Sequence, residues 1–155
     1  MILDAEKLGI SRDEIGVILV DHGSRLEASN NLLLEVVKAF RSHTQWQIIE
    51  PAHMELAEPS IGTAFANCAN QGAKVVIVFP YFLAPGRHWS QDIPALAAQA
   101  CQAYPDIKHL VTAPLGLHEL MFQIINERIS TCIQHATSTG PACEICKDSD
   151  GCTLR

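Results

Sequence analysis

Hydrophobic residues recur along this chain in a fixed rhythm. A short, nearly unbroken run of Val, Ile and Leu is followed by a longer stretch in which apolar side chains return every third or fourth position, and the pair of patterns occurs four times. The short runs, at about residues 16–21, 47–52, 74–80 and 109–113, read as strands, and their near-continuous Val, Ile and Leu are the mark of a parallel sheet covered by helices on both faces. The first long stretch follows Arg25 and sets Leu33, Val36, Val37 and Phe40 on one helical face. The second starts in the turn of Pro59, carries Ile61, Ala64, Phe65 and Cys68, and closes at Gly72. Pro94 opens the third, whose stripe is Ile93, Leu96, Ala97, Ala100 and Tyr104, and Pro105 stops it. The fourth runs over about residues 117–133, with Leu120, Met121, Ile124, Ile125 and Ile129 expected to face inward.

Strands alternating with helices in this way predict an α/β fold: a single doubly wound domain with a four-stranded parallel sheet flanked by helices. Residues 1–12 read as a short helix or arm. After His135 comes Ala-Thr-Ser-Thr-Gly-Pro, a segment that regular packing does not use, and a small polar tail with cysteines follows. The expected division is therefore an α/β domain over 1–136 and a cysteine-bearing C-terminal tail over 137–155.

Composition narrows the function. With 155 residues and 48% apolar side chains the chain can build a core without disulfides. A net charge of -6 argues against general affinity for nucleic acid or anionic membrane, because both need a surplus of Lys and Arg. No apolar run approaches the roughly 20 residues that span a bilayer, and no signal-peptide core or Arg-rich presequence is visible, so a soluble protein is expected. Of the six cysteines, Cys68 and Cys101 fall inside helical patterns and three crowd the tail, which fits reduced thiols and a tail metal site better than disulfides.

Three histidines follow the ends of strand-like runs: His22, His53 and His88. Ligands of an open parallel sheet collect at the carboxyl ends of its strands, so these imidazoles point to metal chemistry. Strand one ends in Asp21-His22-Gly23-Ser24-Arg25, where glycine lets the backbone approach a ligand. Beyond strand two, His53 and Glu55 stand two residues apart and so share one side of an extended segment, a pair suited to a divalent ion and to accepting protons. The structural alternative is that Glu55 or Glu58 caps the helix near Pro59. Strand three leads into Tyr81-Phe82-Leu83-Ala84-Pro85-Gly86-Arg87-His88-Trp89, a mixture that suits a large flat ligand with charged edges better than a nucleotide. Each histidine also has a purely structural reading as a hydrogen-bonded residue of a turn. His118 lies at the same edge or simply starts the fourth helix, and His43, His109 and His135 read as surface residues.

The stretches Val20-Asp21-His22-Gly23-Ser24-Arg25, Glu50-Pro51-Ala52-His53-Met54-Glu55-Leu56-Ala57-Glu58-Pro59-Ser60 and Phe82-Leu83-Ala84-Pro85-Gly86-Arg87-His88-Trp89 resemble signature segments of the class II chelatases. The likeness is to the short sirohydrochlorin chelatases, related to the small cobaltochelatase of cobalamin synthesis, and in particular to the plant-type ferrochelatases with a cysteine-bearing extension. The resemblance implies a flavodoxin-like half and a homodimer, because longer relatives fuse two such domains. It implies an enzyme, a lyase, that inserts ferrous iron into sirohydrochlorin to form siroheme. His22 and His88 would be the catalytic, metal-binding histidines, with Glu55 an acidic group at the same face. A plastid stroma, or a cyanobacterial cytoplasm, would be its place.

The residue chemistry agrees with that implication. Insertion strips water from the ion and two protons from the pyrroles, so the site needs weak ligands that release the ion and a base that takes protons. Neutral imidazole does both and suits ferrous, cobaltous and nickel ions alike. Ser24, Arg25 and Arg87, beside the two histidines, are candidates to bind the carboxylates at the rim of sirohydrochlorin.

Cys143-Glu144-Ile145-Cys146, with Cys152 after it and Cys132 before it, offers four thiolates. That number serves a 2Fe-2S cluster or a structural zinc, and the spacing does not choose between them; Cys132 also continues an apolar stripe and has a core reading. The resemblance implies the 2Fe-2S cluster, in a regulatory or assembly role, since metal insertion transfers no electrons. The rival functions are a cobalt or nickel chelatase, and a non-enzymatic metal carrier or redox-sensing module built on His22, His53 and His88.

Overall fold

The computed structural model describes residues 9–147 and 153–154. The described elements are β1 (Ile15–Asp21), α1 (Glu27–His43), β2 (Ile48–His53), α2 (Ile61–Asn70), β3 (Val75–Pro80), a π-type turn (His88–Asp92), α3 (Ile93–Cys101), β4 (Lys108–Val111) and α4 (Glu119–Ala136). By compactness the chain divides into Met1–Gly116, which holds the sheet and α1 to α3, and Leu117–Arg155, which holds α4 and the tail.

All strand pairings are parallel, in the order β2-β1-β3-β4. The α/β fold with a four-stranded parallel sheet is therefore as the periodicity predicts. Alternation along β1 sends its side chains to two cores. Ile18 and Val20 join Ile48, Ala52, Ile61, Phe65, Val76, Val78, Ile93 and Ala97 under α2 and α3, whereas Val17 and Leu19 join Leu33, Val37 and Ile49 under α1. Gly16 lets α2 approach closely: a Cβ there would stand 2.9 Å from Cys68 Sγ.

Three expectations change. An unexpected wide turn over His88–Asp92, with the Ile93 N–H donating to the His88 carbonyl, precedes the third helix, which opens with Pro94 in its first turn as expected. β4 is not buried like its neighbours, and Leu110 is exposed, although β2 at the opposite edge of the sheet is largely buried. The apolar stripe of α4 does not face inward: Leu120, Ile124, Ile125, Ile129 and Ile133 are all about half exposed. Its periodicity is that of a packing face.

The chain passes from β1 to β2 on one side and then back to β3 on the other, so the sheet reverses direction at β1. Such a reversal opens a crevice at the carboxyl ends of the two diverging strands. His22 directly follows β1, and the His88 loop follows β3.

Candidate active site

Backbone pairing of β1 and β2 continues past both strands and builds the floor of the site. Asp21 and His53 are register partners, the Met54 N–H donates to the Asp21 carbonyl at 2.9 Å, and the Glu55 N–H donates to the His22 carbonyl at 3.1 Å. That last bond sets Glu55 beside His22, with Glu55 Oε1 3.0 Å from His22 Nε2. Gly23 makes the approach possible. Its φ of +81° lies in the left-handed region, and a Cβ there would stand 1.9 Å from the Glu55 carbonyl oxygen. Leu56, directly after Glu55, also takes a positive φ of 68°, a conformation costly for a branched side chain and typical of functional loops.

The other wall comes from the loop after β3. Tyr81 donates its N–H to the Val20 carbonyl, Leu115 donates to the Phe82 carbonyl, and the Trp89 indole N–H donates to the Thr112 carbonyl at 2.7 Å. These bonds tie both ends of the loop to the sheet and bring His88 to His22, with ring centroids 5.1 Å apart, edge to face at 71°.

Hydrogen-bond partners assign the ring protons. His22 Nδ1 lies 3.1 Å from the Gly23 carbonyl, which only accepts, so Nδ1 carries a proton and Nε2 turns to Glu55. His88 Nδ1 lies 2.8 Å from Asp92 Oδ2, so Nδ1 donates there and Nε2 keeps its lone pair. Together the groups form two imidazole donors and a carboxylate in an accessible crevice. Among the described residues no three His, Cys, Asp or Glu side chains stand close enough to grip one ion together. An open pair of this kind suits an ion that must be handed on.

His53 is apart from this set. It is 1% exposed and gives its Nδ1 proton to Asp21 Oδ1 at 2.6 Å, while the other bond to that oxygen comes from the Gly23 N–H at 2.9 Å. His53 therefore braces the floor and has no open approach for an ion. Neither glutamate caps α2; Ser60 does, its hydroxyl accepting the Thr63 N–H, while the Glu58 carboxylate accepts from the Ser60 N–H and the Thr63 hydroxyl, which hold its pKa below the usual glutamate value. His118 caps α4, accepting the Leu120 N–H.

The proposed rim residues are differently placed. Arg25 is exposed next to the site. Arg87 is also exposed, with its Nε 3.9 Å from Asp92 Oδ1. The Ser24 hydroxyl accepts the Leu26 N–H and shapes the loop while its own proton remains available. Composition at the strand ends did not single out Asp21 and Asp92. Two signals were present: Asp92 lies four residues after His88, and Asp21 shares a strand-end register with His53. An apolar cavity of about 320 Å³ lies elsewhere, on the α1 face of the sheet, between Leu19, Phe40, Trp46 and Phe79. It contains none of the histidines.

In the unit that holds α4, Cys143 and Cys146 share a turn closed by the Cys146 N–H on the Cys143 carbonyl at 3.1 Å. Backbone N–H groups of Cys146 and Ile145 favour the Cys143 thiolate and lower its pKa. Arg128 of α4 pairs with Glu144 at 2.6 Å and so holds this turn against the helix that carries Cys132. Cys152 lies outside the described residues.

Comparison with known proteins agrees with this layout. A family model described as CbiX matches residues 16–132. The chain is 50% identical over 142 residues to the chloroplastic sirohydrochlorin ferrochelatase of Arabidopsis thaliana, a match that covers 92% of this chain and 63% of that protein. It therefore spans less than two thirds of that relative's length. Among solved structures, SirB from Bacillus subtilis with Fe3+ superposes with a TM-score of 0.72 at 26% identity, over 76% of this chain and 46% of that one. A CbiX protein from Marinobacter aquaeolei VT8 superposes with a TM-score of 0.67 at 25% identity, over 78% of this chain and 98% of that one. With the family model covering β1 through most of α4, the chain belongs to the CbiX family.

Proposed function

We propose that the protein is a sirohydrochlorin ferrochelatase, inserting ferrous iron into sirohydrochlorin to form siroheme. The observation that carries this reading is the meeting of His22, His88 and Glu55 in the sheet's crevice, with the two rings 5.1 Å apart and Glu55 3.0 Å from His22. The 50% identity to the Arabidopsis enzyme supports the substrate, and the Fe3+ bound by SirB supports the metal.

In this reading the rim carboxylates of sirohydrochlorin rest on Arg25 and Arg87, with the Ser24 hydroxyl as a further donor, and the macrocycle lies over the crevice. Ferrous iron is held through Nε2 of His88 and of His22. As the ion moves into the ring, two pyrrole protons leave it. His22 Nε2 and the Glu55 carboxylate, freed at that moment, accept them. The ring loses two protons and gains a dication, so charge balances with no electron transferred.

The tail is proposed to hold a 2Fe-2S cluster on Cys132, Cys143, Cys146 and Cys152. The support is the Cys143 turn, whose backbone N–H groups favour a thiolate, and the Arg128–Glu144 pair that places this turn on the Cys132 helix. When bound, the cluster would supply a redox-sensitive link within the tail and takes no part in insertion. A homodimer is proposed because the match covers 46% of the SirB chain, room there for a second such unit, and because α4 exposes an apolar stripe. The α/β domain ending near residue 136 with the tail beyond it, and residence in the chloroplast, as for the Arabidopsis relative, complete the proposal.

The test is an anaerobic insertion assay with ferrous, cobaltous and nickel ions on the parent, His22→Ala, His88→Ala and Glu55→Gln. Each variant is expected to lose about 100-fold or more in kcat/KM while its circular dichroism stays that of the parent. Full insertion by either histidine variant would refute the site. Stoichiometric metal uptake with no change in the tetrapyrrole spectrum would make the protein a carrier instead.

A further inference from the structure

We infer that Asp92 is the positioning residue of His88: by accepting the Nδ1 proton it fixes the tautomer and swing of the ring, so that Nε2 meets the incoming metal ion. This inference rests on the proposed role of His88 as a metal ligand.

The His88 side chain is about half exposed, and an unrestrained imidazole rotates about two bonds and exchanges its single ring proton between two nitrogens. Either change removes the lone pair from the crevice. A ligand in that position needs an external restraint, and Asp92 Oδ2, 2.8 Å from Nδ1, is the acceptor present. A histidine ligand that donates its second nitrogen to a carboxylate is held in orientation and made a stronger donor, and loss of such an outer partner costs about 10–100-fold in metal affinity.

The local backbone explains why the pair forms. His88–Asp92 is wound as a π-type turn, closed by the Ile93 N–H on the His88 carbonyl. In this wider winding, residues four apart stand more nearly one above the other than in an α-helix, so a side chain as short as Asp reaches the ring. The wide turn then passes directly into α3, whose first residue, Ile93, is fully buried. His88 and Asp92 are thus carried on one helical segment anchored by the buried Ile93. Its other oxygen, Oδ1, faces Arg87 Nε at 3.9 Å, so the carboxylate also restrains the neighbouring cation.

Cobaltous ion alone is the probe, because thiolate-bound cobalt announces itself by near-ultraviolet charge-transfer bands that imidazole-bound cobalt lacks, so binding at the tail is recognised and subtracted. Titrations and insertion kinetics are compared for the parent, Asp92→Ala, Asp92→Asn, His88→Ala and Arg87→Ala. Asp92→Ala is expected to raise the Kd for Co(II) and the KM for metal by about 10–100-fold and leave the KM for sirohydrochlorin unchanged. Arg87→Ala is expected to show the reverse split. Asp92→Asn keeps an acceptor without its charge and should fall between Asp92→Ala and the parent, at about 3–10-fold. A role in folding alone would move neither metal constant.

If Asp92→Ala binds Co(II) within twofold of the parent while His88→Ala has lost it, the inference fails and the metal site stands. If His88→Ala also keeps Co(II), both fail. Should Asp92→Ala not fold, Asp92→Asn decides the matter, and parental metal constants in that variant overturn the inference.

Discussion

The histidine crevice and the cysteine tail place ligand-type side chains by opposite means. In the crevice, long-range pairing does the work: the Asp21–His53 register and the Glu55 N–H on the His22 carbonyl join residues more than thirty positions apart. In the tail, one turn between Cys143 and Cys146 and one exposed ion pair, Arg128 with Glu144, do it locally. The first geometry is supported by the core under α2 and α3. A site that handles a transient ion needs preset geometry before the ion arrives, whereas a resident cluster can help to organise its own ligands.

The largest break in this contrast is expected from Gly23→Ala. The new methyl would meet the Glu55 carbonyl oxygen at 1.9 Å, and backbone bears on both sides of the contact, so no flexible side chain can yield. The left-handed φ of +81° adds strain. Together these should cost more than about 2 kcal/mol of stability and separate Glu55 from His22, with insertion reduced by at least about 100-fold. A glycine-to-alanine change in the tail, Gly140→Ala, should leave insertion untouched. Urea unfolding and the anaerobic assay check both, and normal insertion by Gly23→Ala would mean that the His22–Glu55 approach is dispensable.

Next in size is Asp21→Ala, which leaves His53 buried at 1% exposure without its acceptor and frees the Gly23 N–H. Losing a charged partner from such a bond costs about 2–3 kcal/mol. The tail counterpart, Arg128→Gln, removes a fully exposed ion pair and should not shift the thermal midpoint. Equal effects of the two substitutions would erase the distinction between the regions.

This same distinction governs what could be read from the amino acids. Strands β1 and β3 were legible because burial on both faces demands nearly unbroken apolar runs, and His22 and His88 because they stand in the segments that follow those runs. The partners were harder to see. Asp92 depends on a π-type winding that no local composition announces, and Asp21 looks like an ordinary turn residue until β2 is placed beside β1. His53 has the same strand-end position as His22 but lies one residue earlier relative to the β1–β2 pairing, which turns it into the core. The stripe of α4 was correctly periodic, and periodicity reports that a face packs without saying against what.

The smallest expected effect needs only a change of pH and compares one thiol from each region. Burial pushes the Cys68 thiol up to about 12, against an ordinary value of 9.0. Between these values the unfolded chain gives up the proton and the folded chain does not, so unfolding is favoured as pH rises, by roughly 1 kcal/mol per unit. Cys143 has the opposite sign, because backbone N–H groups stabilise its thiolate and lower its pKa. Its contribution therefore grows as pH rises towards the ordinary thiol range and is absent in acid. Urea titrations of chelator-treated parent, Cys68→Ala and Cys143→Ala at a series of pH values separate the two, since all other titrating groups cancel in each difference. The destabilisation by Cys68→Ala should shrink as pH climbs above 9.0, and that by Cys143→Ala should grow on the approach to it. Slopes of the same sign would show that the tail turn does not hold a thiolate, and the proposed cluster would lose its best-prepared ligand.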